Sequence, residues 1–267
     1  MGVGSLRVIY RGGQVQASAW GPGAEWLVEG LPELLGASDD ISGFGDMLRR
    51  AAGSGEASVR ARAAFVGELA GRHQGLRIGR SGRVFEALVP AVLEQKVVGR
   101  EAWRAWRWLV RKYGEIAPGP VPEGLTVMPS PQEWRRVPSW DWHKAGAEAV
   151  RARTIINAAT HAEKLESGSS AEADRVLRAL PGIGVWTSAE VRQRSHGDPD
   201  APSVGDYHLP SVVGYAFTGQ KTDDAGMLEL LEPFAGHRHR VIRLIELSGI
   251  RPPARGPRMA VRDYRSF

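Results

Sequence analysis

Leu180-Pro181-Gly182-Ile183-Gly184-Val185-Trp186-Thr187-Ser188-Ala189 spells a tight turn between two helices. Helical patterning ends at Leu180 and resumes after Gly184. Pro181 presets φ at one central turn position, and Gly182 accepts the positive φ of the next. Gly184, with no Cβ, lets another molecule approach the backbone. The first amides of the following helix lack intrahelical acceptors and point outward with the positive end of the helix dipole. Two readings fit the turn: a plain joint between helices, or a cradle for a phosphate that reads no base sequence.

Working outward, Ser203-Val204-Gly205-Asp206-Tyr207-His208-Leu209-Pro210 places a carboxylate 20 residues after Trp186. Asp206 stands at the start of a helix, where capping is its commonest structural duty. Upstream, Val84, Phe85, Leu88, Val89, Val92 and Leu93 cover more than one helix face and predict a buried helix. Pro90 inside it predicts a kink or restart. Trp103, Trp106, Val110 and Tyr113 recur on one helical face and read as core. A Pro/Gly connector spans 118–124, and further helices are expected near 145–165, 171–179, 186–195, 207–217, 223–234 and 238–248. Asp141, between Trp140 and Trp142, reads as a buried cap of the helix that follows. No strand is expected after residue 83.

The first eighty residues differ. Leu6-Arg7-Val8-Ile9-Tyr10, the pair Gly12-Gly13 and Gln14-Val15-Gln16-Ala17 predict a β-hairpin. Helical stretches follow at 25–35 and 59–72, separated by Gly53-Ser54-Gly55. The expected division is a small α+β lobe (1–78), a helical body (79–250) and a basic tail (251–267). The fold class is mainly α.

Hydrophobic residues make up 42% and charged residues 24% of the 267, an ordinary balance for a globular protein. The chain has no cysteine, which excludes disulfides, thiolate zinc sites, a cysteine nucleophile and a cysteine-ligated iron–sulfur cluster. Neither a long apolar run nor a secretory leader is legible, so a cytoplasmic location without membrane contact is expected. The net charge is +5, and residues 251–267 hold five Arg against one Asp. Just upstream stand His237-Arg238-His239-Arg240 and Arg243. These basic segments fit either a solvated helix end and tail or a phosphate-facing surface. His196 and His208, without a second ligand at helical spacing, read as surface histidines.

Leu-Pro-Gly-Ile-Gly-x-Trp-Thr-x-Ala followed by the Asp206-Tyr207 pair resembles the helix-hairpin-helix DNA glycosylases, and within them the DNA-3-methyladenine glycosylase II branch. Residues 88–98 (LVPAVLEQKVV) and 149–155 (AVRARTI) share that look, and the resemblance covers roughly residues 80–250. It implies an enzyme that flips a damaged, alkylated purine out of double-stranded DNA and hydrolyses its glycosidic bond; a glycosylase of other base specificity and a non-catalytic damage-specific DNA-binding protein are the alternatives. Asp206 would be the catalytic carboxylate. Pro181, Gly182, Ile183, Gly184, Thr187, Gln95 and Lys96 would contact DNA. Trp186, Tyr207 and Glu190 would border the base pocket, with Glu246 at a second pocket position. Lys96 stands where an apolar wedge often fills the gap left by the flipped base, and Val97 competes for that role. Strand-cleaving members of the family have lysine where this chain has Trp186, so the resemblance implies no lyase activity. It implies no redox cofactor, and at most a structural Na+ or K+ on the carbonyls of Leu180 and Gly182. A monomer is expected.

Overall fold

The structure is a computed structural model and describes residues 2–253. Strands β1 (Ser5–Arg11) and β2 (Gln14–Trp20) form the antiparallel hairpin. Gly12 and Gly13 both adopt positive φ, as a two-residue turn of the type I′ class requires. Helices α1 (Ala24–Glu29), α2 (Leu31–Leu34), α3 (Ser42–Ala52) and α4 (Ala57–Arg72) follow. The sequence reading missed α3. Its Met47 and Ala51 are buried against α4, so tertiary packing stabilises a segment whose polar, Gly-rich composition conceals it.

Helix α5 (Val84–Leu93) runs unbroken past Pro90 and is buried on nearly every side. Then come α6 (Gly99–Tyr113), β3 (Glu115–Ile116) and β4 (Thr126–Val127). This two-residue ladder is the strand pairing that the sequence reading did not expect. Next are α7 (Pro131–Arg136), α8 (Ser139–Ala145), α9 (Ala149–Thr160), α10 (Ala162–Leu165) and α11 (Ser170–Arg178). The chain continues through α12 (Val185–Ser195), α13 (Leu209–Thr218), α14 (Asp224–Leu231), a 3-10 turn at Glu232–Phe234 and α15 (Arg238–Leu247). The fold is mainly helical, as expected. No described helix is long and apolar enough to cross a membrane.

Two apolar cores organise these helices. The first gathers α5 through α12, with α5 set between α9 and α12 and with Leu88, Leu109, Trp134, Ile155 and Leu177 at its centre. The second joins α3 and α4 to α13, α14 and α15 around Val66, Leu69, Met227, Leu231, Phe234 and Ile245. Helices from both sides of the boundary expected at residue 78 thus share one core. The chain passes between the cores twice, near 73–83 and 196–208.

Other expectations change in packing. Trp103 is 57% exposed, whereas Ala102, Ala105 and Leu109 form the buried stripe of α6. Asp141 caps no helix. It lies buried within α8, where its Oδ2 accepts from Lys112 Nζ at 2.6 Å and from the Tyr113 hydroxyl. Those donors hold its carboxyl below the usual range, while burial and the adjoining carboxylate push the Tyr113 phenol up to about 12.

Candidate active site

Both crossings between the cores border a cavity of about 920 Å³. Its walls include Glu86, Pro90, Trp106 and Glu190 from the first core and Leu209, Val212, His239, Ile242 and Glu246 from the second. Leu76, Arg77, Ile78, Ser203 and Asp206 come from the crossings.

Asp206 is held from two directions. Its Oδ1 accepts from the backbone amides of His208 and Leu209, both at 2.8 Å, and so caps the start of α13. Its Oδ2 accepts from the Trp186 indole Nε1 at 3.3 Å. The two functions proposed for this residue from sequence, cap and cavity carboxylate, are thus compatible. The cap orients the side chain, and the half-buried Oδ2 retains a free lone pair. The loop beneath it is clamped: Asp206 N donates to Ser203 O at 3.2 Å, and Gln193 Nε2 donates to Ala201 O at 2.7 Å and Ser203 Oγ at 2.9 Å.

Trp186 opens α12, so the indole bond ties Asp206 to the glycine turn. Pro181, Gly182, Gly184 and Val185 are exposed. Gly184 is the N-cap of α12 with no side-chain cap, which leaves the first helical amides facing outward. Gly182 has φ +88°, and a Cβ there would lie 2.2 Å from Thr154 Oγ1 on α9. Any side chain there would strain the backbone and displace Thr154. Ile183 is 6% exposed and packs into the first core, so its side chain anchors the turn and only its backbone faces outward.

Gln95 and Thr187 face inward rather than outward. Gln95 Nε2 donates to Gly182 O at 3.0 Å and to Thr187 Oγ1 at 2.8 Å, and Thr187 is 2% exposed. Their side chains brace the turn from within, and the Thr187 side chain is buried there. Lys96, next in sequence, is exposed at φ +56°, the sole positive-φ non-glycine residue among those described. Such a conformation is costly for an L-residue with a long side chain. Val97 packs against the first core, leaving Lys96 as the projecting residue of this loop.

Tyr207 lies beside Asp206 but not in the cavity wall. It is 80% exposed, sets its ring against His208 and stands outside the cavity lining. Glu190 does line the cavity, but its charge is matched: Oε1 accepts from Ser203 Oγ at 2.5 Å and Oε2 from Arg194 at 2.7 Å. Glu246 is paired with Arg243 in the same way. The basic run at 237–240 is no open phosphate surface. Arg240 is buried on Asp39, donating to its Oδ2 at 2.9 Å, and Arg238 pairs with Asp200 at 2.5 Å. Most of the basic tail lies outside the described residues.

Sequence reasoning missed Ser203, Gln193, Trp106 and His239. His239 is 7% exposed, and burial followed by the nearby Arg243 pushes its pKa down to about 3. It is therefore neutral at physiological pH, with Nδ1 buried and unpaired. No sequence signal separated it from the half-buried His237 and Arg238 beside it. The described residues contain no cluster of three or more His, Cys, Asp or Glu able to hold a metal. The carbonyls of Leu180 and Gly182 each accept one hydrogen bond already, from Ile183 N at 3.2 Å and from Gln95. A second lone pair stays free on each.

No family model matches the chain, and no curated protein matches it by sequence. Solved structures do. The 3-methyladenine DNA glycosylase from Archaeoglobus fulgidus superposes with a TM-score of 0.67 at 18% identity, over 92% of this chain and 87% of that one. The Clostridium acetobutylicum 8-oxoguanine glycosylase/lyase gives 0.67 at 14% identity, over 90% and 81%. The 3-methyladenine DNA glycosylase of Schizosaccharomyces pombe, in complex with abasic DNA, gives 0.59 at 18% identity, over 79% and 100%. At these identities the likeness establishes a shared fold.

Proposed function

We propose that the chain is a monofunctional DNA glycosylase that removes alkylated purines from double-stranded DNA. The observation that carries this reading is Asp206 on a cavity wall, with one oxygen locked by two amides and the other joined through Trp186 to an exposed glycine turn. Turn amides of Pro181-Gly182-Ile183-Gly184 and the start of α12 hold the phosphate strand, Lys96 fills the space vacated in the duplex, and the flipped purine enters the cavity. A volume of about 920 Å³ is ample for one nucleoside.

Cleavage moves the electron pair of the N-glycosidic bond onto the base and leaves a sugar with oxocarbenium character. The Asp206 carboxylate stabilises that cation or orients water for attack on the anomeric carbon and takes its proton. An N3- or N7-alkylated purine carries positive charge beforehand and departs as a neutral base, so little acid catalysis is needed. Trp186 offers no amine for a Schiff base, which supports hydrolysis without strand cleavage. The free lone pairs of Leu180 and Gly182 suit a structural Na+ or K+, which would add positive charge beneath the phosphate. A monomer acting in the cytoplasm completes the proposal.

The test incubates wild type and Asp206→Asn with duplexes containing N3-methyladenine or N7-methylguanine and measures free base. Asn still accepts the two cap hydrogen bonds, so folding and DNA affinity should persist while base release is lost. Equal release by both proteins would refute the mechanism. A second reading, excision of an oxidised purine, draws support from the polar wall of Ser203, Glu190 and His239. An 8-oxoguanine duplex in the same assay separates the two, and borohydride trapping reports any Schiff base.

A further inference from the structure

Helix α6 presents an outer face that the proposed excision does not use. Arg100, Arg107 and Arg111 are exposed, and none has an acidic partner among the described residues. Their spacing places them on one face over a rise of about 16 Å. Trp103 sits among them at 57% exposure, an unusual position for the largest apolar side chain. Together with Trp108 they line one open groove. Lys112, 4.9 Å above the Trp108 ring, borders the groove but is engaged by Asp141.

Three unmatched guanidiniums in a row call for a polyanion, because each is a fixed fork suited to phosphate or carboxylate. The tryptophan narrows the choice. Duplex DNA keeps its base faces stacked and would use the arginines while leaving Trp103 idle. An unpaired strand uses both, with phosphates along the arginines and a base face on the indole. Helix α6 also begins just after the Gln95–Lys96 loop, which Gln95 fastens to the glycine turn.

We propose that Arg100, Trp103, Arg107 and Arg111 form a second nucleic-acid site, which binds an unpaired DNA strand apart from the base cavity. Its location beside the turn rests on the glycosylase reading; its chemistry does not.

The test uses the full chain and a fluorescein-labelled oligothymidylate, followed by anisotropy across a salt series. Trp103→Ala should weaken binding about tenfold, and Trp103→Phe should retain most of the affinity. Replacing Arg100, Arg107 and Arg111 together by Ser should lower the slope of log affinity against log salt by about two. All variants should release damaged base from a short duplex within about twofold of wild type, as befits surface changes away from the cavity. Wild type that ignores oligothymidylate, or Trp103→Ala that binds it unchanged, overturns the proposal. So does polyglutamate competing as well as oligothymidylate, which would assign the face to an acidic protein, or a loss of intact-duplex binding equal to the loss on oligothymidylate. Failure of the glycosylase reading would appear instead as absent base release with the oligothymidylate results intact.

Discussion

Gly182→Ala tests whether the glycine turn is held by α9. The new methyl would face two separate penalties. A φ of +88° costs an L-residue about 1–2 kcal/mol, and a Cβ placed 2.2 Å from Thr154 Oγ1 forces a shift in a packed interior worth about 1–3 kcal/mol. The single mutant should therefore lose roughly 2–5 kcal/mol in urea unfolding. Thr154→Ala removes the clashing oxygen and the Cγ2 at 3.2 Å and leaves the Cβ of residue 154 at 3.3 Å, a close but yielding contact. It sacrifices a local bond to Val150 O at 3.1 Å and a small volume, so by itself it should cost about 1 kcal/mol. In the double mutant most of the steric part is relieved, while the 3.3 Å approach to the Cβ of residue 154 and the dihedral part stay. The cycle should report a favourable coupling of about 1–3 kcal/mol. Duplex affinity, measured alongside, should fall in Gly182→Ala and recover in part with Thr154→Ala. A coupling of zero would show that the turn is not seated on Thr154, and the account of how the amides are aimed would be abandoned.

Lys96→Gly removes the left-handed strain and should raise stability by up to about 1 kcal/mol in urea, yet slow base release; a loss of both stability and release would contradict the role assigned to this loop. Arg240→Ala strands buried Asp39 and should cost about 3–5 kcal/mol, whereas replacing both partners with apolar residues should come close to wild type in thermal unfolding. His239 provides a pH signature. Its folded pKa lies below that of the unfolded chain, so the unfolded state binds the extra proton between about 6.5 and about 3. Stability from this group is complete above pH 6.5 and falls by up to about 1.4 kcal/mol per unit as acid is added. His239→Gln should flatten that part of the urea-midpoint profile, and an unchanged slope would assign the acid sensitivity elsewhere.

What the chain could announce by itself was local. Gly12-Gly13 and Pro181-Gly182 declare their turns because positive φ is a property of the residue, not of its surroundings. The apolar run at 84–93 declares a buried helix for the same reason, since so continuous a pattern has few other uses. Asp206 was legible as a helix start and, by resemblance, as a catalytic candidate. Tertiary structure alone decided which groups meet. Asp39 and Arg240, 201 residues apart, cancel a charge that looked available for phosphate. Gln95 and Thr187 turned out to brace the turn, Tyr207 is exposed outside the cavity lining, and Trp103 faces solvent where its periodicity suggested core. Helices α3 and α4 share a core with α13 to α15, a partnership no local pattern encodes. The physical reason is common to all of these. A dihedral preference acts within a residue or two, whereas burial and charge pairing depend on neighbours supplied from the far end of the chain.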